Sequence, residues 1–217
     1  MTEPNPQAVR AFWDAVTASS PTLVTDLTVA FTSTGASTPE FDHLCTLLDK
    51  AAPGLLLIFG PRTDGVRDEL VISAGGQRAL FGNLLSVTDT APPAVKERFD
   101  VRAGRPRLPD ADNQEIEVGS RRITGSAISW TGEPQRRPRG TCNLHLFIPG
   151  WIDALPPDSP ANQRLASAVF MLLDHALGEF AMLSQVGVID WASAAQAPPA
   201  ARPLGELPDF LDGLANR

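Results

Sequence analysis

Tyrosine is absent from this 217-residue chain, lysine occurs only at Lys50 and Lys96, and there are two cysteines and three histidines. Each scarcity excludes something. No site here can use a phenol. Cys45 and Cys142 lie far apart, on an expected helix and an expected strand, so two free buried thiols are expected rather than a disulfide framework. A chain of this length buries roughly 70% of its unfolded surface and folds without a metal or disulfide staple. His43, His145 and His175 would have to gather from distant segments to hold a metal, so neither a metal nor a cofactor is expected. The apolar runs, Leu55 to Phe59 among them, are far short of the ~20 residues of a membrane span. Met1 to Pro6 is polar, with no apolar stretch after it, which points to a cytoplasmic protein without a secretory leader. There is no G-x-G-x-x-G, P-loop, H-E-x-x-H, G-x-S-x-G or C-x-x-C, and no internal repeat is visible.

Net charge is −7, with 18 Lys or Arg against 25 Asp or Glu, which disfavours a nucleic-acid partner. The charge is uneven. Residues 96–139 carry ten Lys or Arg and seven Asp or Glu, a local +3. Almost all of that positive charge is arginine, the side chain suited to bidentate carboxylate or phosphate contacts, although a GC-rich genome also favours it.

What is present is ordinary globular material, 43% hydrophobic and 20% charged. Val9, Phe12, Trp13 and Val16 make one stripe and predict a helix over 6–18. Residues 22–34 fit either helix or strand. Thr38 is a natural cap for a second helix, with Phe41, Leu44, Cys45 and Leu48 inward. Strands are expected at 55–59, 68–73, 98–102, 115–118, 122–130, 141–148 and 186–191, and a helix over 76–87. The proline-rich stretch 104–113 and the basic stretch 134–140 read as surface loops. Ser159 and Pro160 open the clearest helix, whose wide apolar face runs from Leu165 to Phe180 and predicts an end near Ser184. Short connections favour antiparallel pairing. The expected fold class is α+β, a mixed and largely antiparallel sheet with helices packed on it. One domain over 1–193 is expected, with 194–217 as an Ala/Pro-rich linker and a short C-terminal helix.

Two groups of residues stand out for chemistry. In the segment 172–180, His175 and Glu179 are one helical turn apart beside Asp174. They form either a carboxylate-oriented general base or a helix-stabilising pair at the edge of the core. Gly178 inside that helix implies close packing or a kink. The arginines form the second group, with Arg102, Arg105, Arg107 and Arg122 as candidate ligand-binding residues for an acidic protein or a phosphorylated ligand. Gly75-Gly76 before a helix suits anion binding or simple turn geometry. His145, alternating on its strand, reads as a hydrogen-bonded structural histidine.

Several pieces, taken in order, resemble a family of uncharacterised bacterial proteins. They are Phe12-Trp13-Asp14, Ala52-Pro53-Gly54-Leu55 running to Phe59-Gly60-Pro61, and the stretch from Glu69 to Gly76. Gly104-Arg105-Pro106-Arg107 follows, then Leu173-Asp174-His175-Ala176-Leu177-Gly178-Glu179-Phe180. The chain departs from the pattern at Gly104, where an aromatic is expected, and at Phe180, where tyrosine is expected. The resemblance carries no catalytic residues. The expectation is a non-catalytic protein-binding role, such as an immunity protein that neutralises a toxin. An enzyme built on His175 and Glu179 near an arginine-lined cleft is the alternative, and a homodimer formed along an exposed strand a further possibility.

Overall fold

Asn5 starts the first helix by accepting the backbone N–H groups of Gln7 and Ala8, and Pro6 takes the first helical position, where no N–H is needed. A computed structural model describes residues 3–61, 67–119, 121–136 and 140–215. The link between the strands expected at 55–59 and 68–73 and the basic loop at 134–140 fall partly outside these residues. Among them are eight α-helices and three sheets, an α+β fold in which two of the six strand ladders are parallel. The chain divides into two compact units, 1–105 and 106–217, where the sequence predicts one domain to residue 193.

In the first unit, helices α1 (Pro6–Ala18), α2 (Leu23–Thr34) and α3 (Pro39–Ala51) precede strands β1 (Leu56–Gly60) and β2 (Asp68–Ser73). The ambiguous stretch at 22–34 is helical and ends at Gly35 in the left-handed region. Thr38 caps α3 as expected, accepting from the N–H of Phe41. Helices α4 (Phe81–Asp89) and α5 (Pro93–Arg98) then lead to β3 (Phe99–Ala103). α5 was not legible in advance. Pro92-Pro93 looks like a stop, but Pro93 is the first residue of a new helix. β2 is central, antiparallel to β1 and parallel to β3. Phe12, Trp13, Leu44, Leu48, Leu70, Ile72 and Leu84 form the core.

The second unit begins with a two-stranded sheet, β4 (Glu115–Val118) and β5 (Arg121–Thr124). The single strand expected over 122–130 is broken by a 3-10 turn at Gly125–Ala127. Strands β6 (Ser129–Pro134) and β7 (Cys142–Ile148) follow, then helices α6 (Pro160–Leu177) and α7 (Glu179–Ser184), β8 (Val186–Ser193), β9 (Arg202–Pro203) and α8 (Leu207–Ala215). The second sheet has the order β8-β7-β6-β9. β7 is antiparallel to β6 and parallel to β8. Each unit therefore contains an antiparallel pair, a helical crossover and a third strand parallel to the second. This is a repeat of topology that the residues themselves do not show.

Leu165, Val169, Leu172, Leu173, Ala176 and Leu177 of α6 pack with Leu144, Leu146 and Ile148 of β7. Residues 194–217 are not an appended linker. Leu204, Leu207 and Leu211 are fully buried in this same core. β9 pairs with β6, and Trp130 donates its indole N–H to the carbonyl of Pro203 at 2.9 Å. His145 is not a hydrogen-bonded core residue. It is exposed on β7 and stacks on Phe147 with ring centroids 4.7 Å apart. No helix among the described residues is long and apolar enough to cross a membrane.

Both cysteines are free, Cys142 buried and Cys45 half-buried. Burial, followed by the nearby Glu133 carboxylate, pushes the Cys142 thiol up to about 11. A backbone hydrogen bond opposes this only in part. The thiolate is the reactive form. At pH 8, iodoacetamide is expected to leave Cys142 unmodified in the native protein and to label it on unfolding, as read by peptide mass spectrometry. Native labelling at the rate of a free thiol would contradict this burial.

Candidate functional site

Gly178 ends α6. It sits at φ 73°, ψ 152°, a region open essentially to glycine, and its N–H donates to the Asp174 carbonyl at 2.8 Å. The apolar period runs on through Phe180 and Leu183, so the sequence predicts one helix where there are two. The break changes the His175–Glu179 relationship, because the two residues are not a turn apart on one helix. Glu179 is fully buried in the first turn of α7, where a helix N-terminus favours a carboxylate. Asp174 and His175 remain in the last turn of α6. The His175 Nδ1 is buried without a hydrogen-bond partner among the described residues.

The stretch that follows residue 105 straps this helix end. The N–H of Leu108 donates to the His175 carbonyl at 2.8 Å, and Arg107 Nε donates to the Leu177 carbonyl at 2.8 Å. These are carbonyls that a helix C-terminus leaves without partners. Arg107 also forms a two-toothed pair with Asp212 of α8, both bonds 2.7 Å. Arg107 thus joins α6 to α8. The bonded guanidinium holds the Asp212 carboxyl below the usual carboxylate range, and the bond raises Arg107 in turn. A carboxyl depressed in the native state adds stability above its unfolded pKa and loses it as pH falls through the native one. Asp212→Asn is therefore expected to lower Tm at pH 7 by roughly 2–5 °C, as befits a well-formed but exposed pair. The gap to wild type should close as the pH falls through and below the carboxylate range. A gap that stays constant with pH would exclude the charge as its cause.

The other candidate arginines sit as follows. Arg102, on β3 in the first unit, pairs with Asp100 at 2.7 Å and Glu69 at 3.5 Å. Arg105 follows β3 as the last residue of that unit. Arg122 on β5 spans Glu115 at 3.2 Å and Glu117 at 3.4 Å. Arg107 and Arg122 thus have carboxylate partners within their own unit, as Arg102 has in its own. No set of three His, Cys, Asp or Glu residues among those described is placed to hold a metal ion.

A concave feature among the described residues of the second unit lies elsewhere. A groove of about 530 Å³ runs between β4 and α6. Ile116 through Gly119 form one wall, and Gln163, Arg164, Ser167, Ala168 and Met171 face them from the helix. Past Gly119 it continues into a recess of about 200 Å³ bounded by Arg121, Gly150 and Arg164. The groove's volume falls within the range of ligand clefts, about 300–1,000 Å³, and the recess is smaller than that range. Neither His175 nor Glu179 lines the groove or the recess.

No protein-family model, curated protein or solved structure matches the chain.

The groove therefore rests on geometry alone. Met171 on its wall is 51% exposed and the adjacent Phe170 is 44% exposed. Phe170 meets Trp191 edge-on, and Trp191 stacks on Trp151 at 5.6 Å. Sequence reasoning left Met171 and Phe170 off the apolar face of this helix but gave them no role. It did not anticipate the groove, because β4 and α6 lie far apart in the chain and no local pattern joins them.

Proposed function

We propose that this chain is a non-catalytic protein-binding module that makes contact through the groove between β4 and α6. The observation that carries the reading is the groove itself, with one wall formed by a strand that has a single partner strand among the described residues and the other by a helix that exposes Met171 along it. Phe170 is exposed on the same helix, and exposed apolar surface beside a cleft suits a contact. Neutralisation of a toxin is the concrete form of this role that we favour. A net charge of −7 steers association toward a basic partner. The test is co-purification of the full chain with the products of neighbouring genes. Wild type is expected to retain one of them stoichiometrically and Ser167→Arg, which fills the groove, to release it. Retention of none overturns the reading.

A second reading, an enzyme built on His175 and Glu179, is favoured by one observation, the buried unpartnered Nδ1 of His175. Unsatisfied buried polar atoms do mark functional sites. Against it, Arg102, Arg107 and Arg122 already have carboxylate partners. A panel of hydrolytic and group-transfer assays on wild type and His175→Gln separates the readings. Turnover that the variant loses supports catalysis, and equal background in both removes it.

A further inference from the structure

We propose that the groove takes an extended peptide as a strand added to the open edge of β4, with the peptide's C-terminal carboxylate held between Arg121 and Arg164. The inference rests on the protein-binding reading above and names the kind of segment the partner supplies.

Among the described residues β4 pairs only with β5, and its other edge carries no ladder there. The alternation of an antiparallel ladder decides which groups that edge presents. Gly125 donates its N–H to the Gln114 carbonyl, and the register then runs Ile116 to Ile123 and Val118 to Arg121. Positions 114, 116 and 118 spend their backbone groups on β5. The N–H and C=O of Glu115 and Glu117 are therefore directed away from it, toward the open side. The groove lies on that side, for it is walled by β4 and α6, and of β5 only Arg121 reaches the adjoining recess. A strand edge facing a helix across an open cleft is the geometry in which main-chain hydrogen bonds hold an extended peptide, while alternate side chains are read by the walls. Here those walls are Ile116 and Val118 on one side and Ala168 and Met171 on the other.

Charge decides the direction of the peptide. Both arginines of the recess are exposed, and neither has an acidic partner among the described residues. Arg121 makes one hydrogen bond, from Nη1 to the Gly150 carbonyl at 3.3 Å. Gly150 leaves room for it, since a Cβ there would collide with the guanidinium. The first turn of α6 borders the same recess at Ala161 and adds positive potential. Arg122 and Arg107, by contrast, are already neutralised. Two unneutralised guanidinium groups closing one end of a strand-shaped groove match a terminal carboxylate. With that carboxylate beyond Gly119, the peptide runs parallel to β4.

The test uses the full chain to select from a library of random heptapeptides displayed with free C-termini. The selected peptide is then made as the free acid, as the C-terminal amide, and as the free acid N-methylated at alternate residues. The free acid is expected to bind, with amide-proton shifts confined to residues 115–119 and 160–171. Amidation and N-methylation should each weaken it by about tenfold or more. Arg164→Gln, a surface change that leaves the core intact, should weaken the acid about tenfold and leave the amide unchanged. Failure to select any peptide, equal binding of acid and amide, indifference to N-methylation, or shifts elsewhere each overturn the proposal. Suppose instead that a co-purified partner is released by Ser167→Arg but not by Arg164→Gln. The groove then stands as a contact surface while the strand-and-carboxylate mode falls. If neither variant releases it, both readings fall.

Discussion

Removal of residues 194–217 is expected to abolish the cooperative unfolding of the second unit and the near-ultraviolet signal of Trp130, Trp151 and Trp191. The segment supplies Leu204, Leu207 and Leu211, all fully buried. Truncating a buried leucine to alanine costs about 2–5 kcal/mol, so losing three approaches the whole stability of a domain, about 5–15 kcal/mol. The deletion also removes β9, the carbonyl that accepts the Trp130 indole, and the Asp212 partner of Arg107. Leu207→Ala alone should give an intermediate loss, read as a shift of the thermal midpoint. A truncated protein that melts cooperatively within a few degrees of wild type would show the segment to be the dispensable tail its composition suggests.

That composition shows why some of the fold was legible and some was not. Local signals were read well. Asn5 and Pro6, Thr38 and Pro39, and Ser159 and Pro160 each mark a helix start, because a cap is a contact between near neighbours. The strands around Leu57, Leu70 and Leu144 follow from apolar runs bounded by turns. What failed depends on distant partners. The Ala/Pro-rich stretch after Ser193 looks like a linker until Leu204 and Leu207 meet the core. The 104–113 stretch looks like an idle loop until Arg107 reaches the Leu177 carbonyl. Within the candidate site, the sequence singled out Asp174, His175 and Glu179 but ran one helix through Gly178, with close packing or a kink there rather than a break. The groove, which depends on the pairing of β4 with β5 alone, left no trace in the sequence.

Gly178→Ala is expected to destabilise the second unit by about 2 kcal/mol, lowering its thermal midpoint by roughly 10 °C. A Cβ at φ 73°, ψ 152° meets its own backbone, whatever space surrounds it. The chain would have to rotate there, and two neighbours would feel it. Glu179 would be drawn from its fully buried place, and the Gly178 carbonyl that accepts from Met182 would move. Gly213→Ala is the matched control. Gly213 lies within α8, has no positive φ, and has nothing near an added Cβ. Alanine there should stabilise by about 0.5–1 kcal/mol, partly by narrowing the unfolded ensemble. Equal effects of the two substitutions would mean that the break at Gly178 is not held by backbone conformation. The Leu-Gly-Glu portion of the motif would then need another explanation.

The open edge of β4 also bears on how copies of this protein behave together at high concentration. An unpaired strand edge is a template for another strand, and proteins that keep one guard it with charge. Here Glu115 and Glu117 flank Ile116, both joined to Arg122 on their outer face. Two copies aligned antiparallel about Ile116 would set Glu115 of one against Glu117 of the other, and like charges directly opposed are destabilising. The same edge can thus remain open to a foreign strand while resisting growth into fibres. Neutralising both carboxylates as glutamines would remove that safeguard without touching the core.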